Sequence, residues 1–232
     1  MILFQSAARL VALLLLLPSL AHGGRPLVTD DATVTTAGAC QVESWQHSAA
    51  EGREFWLLPA CNLLGGIEIT AGGVRQWREN AGDESAYNLQ AKALLREIAP
   101  SGLGFDYGVG LGAGVLRGSD GFDSDYAYLP LTLLLAEGAL AVHANAGWQH
   151  DRRDGSDAFT WGLGTQFPLP QSLSAFIETY GDDASAPNAQ AGLTLIAIPD
   201  RLHVDATYGR SLGTAAANSF LTFGINVYLP PF

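Results

Sequence analysis

Charge is scarce in this 232-residue chain: charged residues make up 15% of it, and a single lysine, Lys92, stands among the basic residues. With 23 acidic side chains against 12 basic ones, the formal net charge is -11, which argues against a surface for nucleic acid or anionic lipid. Hydrophobic residues reach 48% and aromatic ones 9%, too many for a disordered chain. Beyond the first 23 residues no window holds the roughly 18 continuous apolar residues of a membrane helix, so a helical bundle in the membrane is excluded. Cysteine is limited to Cys40 and Cys61, and two thiols without clustered histidines make a poor metal site.

The amino terminus carries Arg9, the apolar run Leu10 to Leu17, Pro18, and small residues at Ala21 and Gly23. This pattern predicts a secretory signal peptide over 1–23. The run falls short of the roughly 20 residues that cross a bilayer, which leaves an amino-terminal anchor as the alternative. Cleavage after Gly23 removes Arg9 and no acid, taking the net charge to -12. Residues 24–38 are expected to form a periplasmic segment and 39–232 a single barrel.

Export makes a Cys40–Cys61 disulfide the expected state, with two buried thiols as the alternative. A hairpin centred between Ala50 and Glu51 sets these cysteines opposite one another, and the same register pairs Trp45 with Trp56.

What abounds is alternation. Leu103, Phe105, Tyr107, Val109, Leu111, Ala113 and Val115 alternate with small or polar residues, and so do Leu140 to Trp148 and Leu221 to Leu229. Strands of about ten residues are the length a tilted strand needs to cross hydrocarbon. Twelve are predicted, near 39–48, 53–61, 66–77, 86–97, 102–116, 125–135, 139–149, 158–168, 172–181, 188–198, 201–211 and 219–229. The first two are the least regular, because Phe55, Trp56, Leu57 and Leu58 run together. An even number returns both ends of the chain to one side. The connections agree: Ala136 to Gly138, Pro168 to Gln171 and Pro199 to Asp200 are compact. The alternate connections hold the charge clusters, including Arg78 to Glu84, Arg117 to Asp125, Asp151 to Asp157, and Asp182 with Asp183. Trp77, Tyr87, Trp148, Trp161 and Tyr208 gather at those outer ends like an interfacial girdle. Phe232 resembles a carboxyl-terminal barrel assembly signal, although Pro230 and Pro231 break the strand phase.

The fold class is therefore all-β, a 12-stranded antiparallel transmembrane barrel behind a signal peptide, placed in a bacterial outer membrane. Outer-membrane lipid and the barrel-assembly machinery are its expected partners, and nucleic acid is not. A soluble sandwich or lipocalin-like barrel is the alternative, since alternation alone says only that one sheet face is buried. The non-apolar face is mainly Gly, Thr, Asn, Gln and Ser, which suits a crowded polar lumen.

Arg25, Pro26, Leu27, Val28, Thr29, Asp30, Asp31 and Ala32, followed by Gly38, Gln41 and Glu43, resemble the start of the outer-membrane barrels named after the meta-pathway of phenol degradation. The resemblance implies a barrel over most of the mature chain and links it to uptake of aromatic or other hydrophobic compounds; it supplies no catalytic residue. Asp30 and Asp31 are expected in a turn, with a mouth-lining or plug segment as the alternative.

If the polar parity faces inward, the lumen receives Glu68, Asn88, Gln90, Lys92, Arg96, Asp106, Tyr126, Tyr128, His143, Asn145, Gln166, Glu178, Tyr180, Gln190, His203, Asp205 and Asn226. Such side chains either coat an aqueous path or pair with each other and close it. Glycines along 104–114 favour space or ease strand curvature. His143 with Asn145, and His203 with Asp205, share strand faces, but no serine is identifiably paired with either, so no catalytic residue is assigned. His143, His203 and Glu178 have the chemistry of metal ligands without a recognised spacing, and neither metal nor cofactor is expected. The expected function is passage or uptake of small, aromatic or hydrophobic solutes. A structural or surface-interaction barrel is the second reading, and a lipid hydrolase the third.

Overall fold

The computed structural model describes residues 27–78, 82–118, 122–213 and 218–231. The signal peptide expected over 1–23 and the terminal Phe232 lie outside them. Twelve strands follow one another: β1 (Cys40–Ala49), β2 (Gly52–Cys61), β3 (Ile67–Arg78), β4 (Glu84–Pro100), β5 (Asp106–Gly118), β6 (Asp123–Leu135), β7 (Leu140–Asp151), β8 (Ser156–Leu169), β9 (Leu173–Asp182), β10 (Asn188–Ile198), β11 (Leu202–Ser211) and β12 (Ser219–Leu229). Each pairs antiparallel with its neighbours in sequence, and β1 pairs β12 from Cys40↔Leu229 to Ala49↔Phe220, so the sheet closes. Closure leaves no strand edge unpaired, the condition for a sheet surrounded by hydrocarbon.

One end of the barrel carries the start of β1, the end of β12 and the tight connections. There the chain turns through left-handed residues at Ala136 and Glu137 and at Gln171 and Ser172, whose twist matches that of the flanking strands. The far end holds ion pairs tying adjacent strands: Arg75 to Asp83 at 3.0 Å, Arg78 to Glu84 at 3.1 Å, and Asp125 between Arg117 and Arg152.

The outward face is apolar along most strands. Leu89, Leu111, Leu129, Leu163, Ile177, Leu193 and Phe223 are all exposed, whereas the alternate residues Asn88, Lys92, Thr132, His143, Glu178, Thr194, Asp205 and Asn226 are buried inside. At β1 the pattern inverts. Ser44, Gln46 and Ser48 share the outer face with Ile225, Phe223 and Leu221 of β12, and Trp45 turns inward.

Two departures from expectation have local causes. Gly102 and Gly104 take positive φ, and the Ser101 backbone N–H donates to Phe105 O at 3.1 Å; Leu103 and Phe105 therefore sit in a turn, and β5 starts at Asp106. In β4 the pairing with β5 slips between Leu94 and Arg96 and again before Ala99. An extra residue in one strand reverses the parity beyond it. Lys92 still pairs Gly112 on the inner face, but Arg96 pairs Val109 on the outer face and lies 4.1 Å from the Tyr107 ring centre. Arg96 is thus not a lumenal residue.

The register predicted for the first hairpin is present. Cys40 pairs Cys61 and the two form a disulfide with Cα atoms 4.0 Å apart, and Trp45 pairs Trp56.

Candidate functional site

Residues 27–36, expected in the periplasm, run inside the barrel instead. Inward-facing groups of the wall hold them. Glu178 accepts the backbone N–H groups of Val28 and Thr29, each at 2.8 Å, and also takes the Gln190 amide. Asn145 pairs with both backbone groups of Asp30, donating to its carbonyl at 2.7 Å and accepting its N–H at 2.8 Å. Ala32 N–H donates to Thr132 Oγ1 at 2.9 Å, and that hydroxyl lies 2.9 Å from His143 Nδ1. Farther along, Glu68 accepts the Thr35 N–H at 2.9 Å and the Thr35 hydroxyl. Backbone polar groups inside a barrel need such partners, because an unmade hydrogen bond there costs about 1–3 kcal/mol.

The centre of this plug is ionic. Lys92 Nζ lies 2.8 Å from Asp30 Oδ1 and 3.3 Å from Asp31 Oδ1, and Tyr128 donates to Asp30 Oδ2 at 2.7 Å. Asp31 also accepts the Thr33 N–H at 2.8 Å, a local turn within the plug. The pair is thus both turn and anchor. Tyr128 reaches it because its ring lies over Gly112, as Tyr126 lies over Gly114; a Cβ on either glycine would strike the ring. These glycines are floor for tyrosines, not empty lumen.

Burial raises the Asp31 pKa, but Lys92, His143 and the Thr33 hydrogen bonds outweigh it, so the group sits below the ordinary carboxylate value of 3.8. A depressed folded value stabilises the docked plug fully above the free value and loses that stabilisation as pH falls through the folded one. Docking through Asp31 is accordingly expected to be flat from pH 8 to 5 and to weaken only below about pH 4. Hydrogen exchange of the Thr33 amide across that range measures it, and weakening already at pH 6 would contradict this anchor.

Between plug and wall lies a cavity of about 1110 Å³. Of the predicted lumenal residues, Glu68, Gln90, Lys92, Tyr126, Tyr128, Asn145, Tyr180, Gln190 and His203 line it. Asn88 is buried 2.7 Å from the Tyr126 hydroxyl, and His143, Glu178, Asp205 and Asn226 are buried in the interior, Glu178 and Asn226 directly behind the cavity-lining Gln190 and Tyr228. Gln166 donates to Ser174 at 3.1 Å, and Asp106 lies at the terminal end of β5 on the parity of the inward glycines. His143 faces the plug and Thr132 rather than lipid.

Sequence reasoning finds Tyr126, Tyr128 and Tyr180 but misses the contribution of the first hairpin and of Phe220 and Tyr228. Gln41, Glu43, Trp45, His47, Glu54, Trp56, Phe220 and Tyr228 all line the cavity. Trp45 and Trp56 stack with centroids 5.3 Å apart and planes at 7°. The signal was present in the hairpin register, which puts Gln41, Glu43, Trp45 and His47 on one face.

Several solved structures are similar. The KdgM porin aligns with a TM-score of 0.63 at 10% identity over 82% of this chain and 99% of that one. Outer membrane phospholipase A from Escherichia coli gives 0.55 at 12% identity over 83% and 93%. The COG4313 outer membrane channel from Pseudomonas putida F1 gives 0.53 at 12% identity over 86% and 98%. At such identities the likeness is one of fold, a barrel shared by outer-membrane channels and by an enzyme. No curated protein matches by sequence. The family model that matches bears a different description from the phenol meta-pathway barrels; it covers residues 11–229, and by it the chain belongs to the family described as Uncharacterised conserved protein UCP029691.

Proposed function

We propose that this chain is an outer-membrane channel for small organic solutes, its lumen narrowed by its own amino-terminal segment. The observation that carries the reading is the cavity of about 1110 Å³ inside a closed barrel, walled by carboxylates, amides and hydroxyls interleaved with indole and phenol rings. A fully plugged structural barrel of this size would pair those groups across the axis, as small barrels do. The mixed wall suits solutes with an apolar body and a polar end.

The finer reading is uptake of aromatic or hydrophobic compounds. The inward aromatics support it, together with the resemblance of the opening segment to the phenol meta-pathway barrels. The KdgM porin has been captured with oligogalacturonate. A polyanion of that kind suits this chain poorly, since Asp30, Glu43, Glu54 and Glu68 all face the cavity. Outer-membrane lipid and the barrel-assembly machinery are the partners the fold would require in the cell.

Planar-bilayer recording on refolded full chain tests the reading. Small, discrete conductance steps are expected, together with liposome swelling by small organic solutes. A bilayer that stays silent after verified insertion would overturn it.

A further inference from the structure

We propose that the aromatic wall on β1 and β2 is a binding site for organic cations, that is, amines or quaternary ammonium ions carrying an apolar or aromatic body. The proposal rests on the channel reading for access of the ligand and deepens it by naming the solute class.

The stacked Trp45 and Trp56 rings are half-buried inside a closed barrel, so part of their surface faces the cavity. Phe122 meets Trp56 edge-on at 6.1 Å, and His47 packs against Phe220 at 4.7 Å. An indole face carries negative quadrupole charge and attracts cations more strongly than any other aromatic side chain. Beside it stands Glu54. Its Oε2 accepts the Trp56 indole N–H at 3.0 Å and its Oε1 accepts the Gln76 amide at 2.8 Å. Both donors are neutral, and among the described residues no cationic side chain pairs with this carboxylate.

The wider cavity has the same sign. Glu43, Glu54, Glu68, Asp182 and Asp200 line it against Arg201 and the histidines His47 and His203, while Lys92 and Asp30 are matched within the plug. A negative cleft with low-dielectric walls concentrates cations and repels anions. A neutral aromatic solute would gain the stacking without the charge, and an anionic one would lose on charge.

A cross-strand indole pair also stabilises a hairpin with no ligand present, and the experiment separates the two roles. Detergent-solubilised full chain is titrated calorimetrically with benzyltrimethylammonium, benzyl alcohol and benzoate, and the same probes are tested as blockers of the current in bilayers. Benzyltrimethylammonium is expected to bind about tenfold more tightly than benzyl alcohol, and benzoate not measurably. Glu54→Gln should weaken the cation about fivefold to tenfold and leave benzyl alcohol unchanged; Trp56→Leu should weaken both. Folding is verified by heat-modifiable gel mobility, and if Trp56→Leu fails it, Glu54→Gln decides alone. Equal affinity for all three probes, or cation binding indifferent to Glu54→Gln, would overturn the site and leave the hairpin role. Silence in the bilayer with cation binding intact would overturn only the channel reading.

Discussion

Replacing Lys92 by Met is expected to release the amino-terminal plug. Nζ is almost fully buried, 2.8 Å from Asp30 and 3.3 Å from Asp31, and Asp31 is buried as well. Removing one partner of a buried ion pair leaves uncompensated charge and costs about 3–5 kcal/mol, because the carboxylates lose their counter-charge while remaining out of water. Undocking lets both carboxylates rehydrate, so the cost falls on the docked state. The plug equilibrium should shift toward release by a factor on the order of 100 to 5000. Two measurements check it. Conductance per channel should rise, and endoproteinase Asp-N should cut at Asp30 or Asp31 in the variant but not in the unaltered chain. Lys92→Met combined with Asp30→Asn and Asp31→Asn removes all three charges together and should restore much of the protection, since a neutral set avoids the orphaned charge. Unchanged Asp-N resistance and conductance in Lys92→Met would show that Glu178, Asn145 and Thr132 hold the segment without the ionic centre.

The anchor illustrates what the amino-acid sequence does and does not disclose. Lys92 is the only lysine in the chain and stands on the polar parity of its strand, so its presence in the lumen could be read directly. Its partners could not. Alternation tells which way a side chain points, and contacts across a lumen depend also on height and on position around the barrel, which follow from strand stagger and tilt. Lys92 meets Asp30 from 62 residues away, and Glu178 meets Val28 from 150. Parity itself fails wherever a residue is inserted: strict alternation puts Arg96 inside, and it lies outside because the β4 ladder slips before it. The first hairpin shows the opposite case. The symmetry of Cys40 and Cys61 disclosed its register, but the apolar-outward rule concealed its facing, since Trp45 points into the cavity while Ser44, Gln46 and Ser48 face out.

An arginine scan along the outer face of β12 should give a bell-shaped loss of stability. Leu221, Phe223 and Ile225 are 48%, 60% and 47% exposed, values that no packed interior tolerates for side chains of this size. From Leu221 to Leu229 the strand rises roughly 20 Å along a barrel axis, most of the apolar band of an outer-membrane barrel. Arginine at Ile225 therefore falls near the middle of the hydrocarbon and should cost about 2–4 kcal/mol, with Phe223 and Val227 intermediate, whereas at Leu221 or Leu229 the side chain can reach the headgroups and the cost should drop to about 0–1 kcal/mol. Ile225 pairs Ser44, so the centre of the scan lies beside the polar stripe of β1. The adjacent residues Thr222 and Asn226 are buried on the inner face, where substitution would perturb the lumen instead, and the scan omits them. Reversible denaturant unfolding from lipid vesicles reads each variant. In a water-soluble barrel the same substitutions would relieve exposed apolar surface and cost nothing. A flat profile would thus remove the membrane from this structure, and with it the reason for its oily exterior; a maximum at Ile225 would fix the barrel's depth and set the Trp45–Trp56 wall within the same slab.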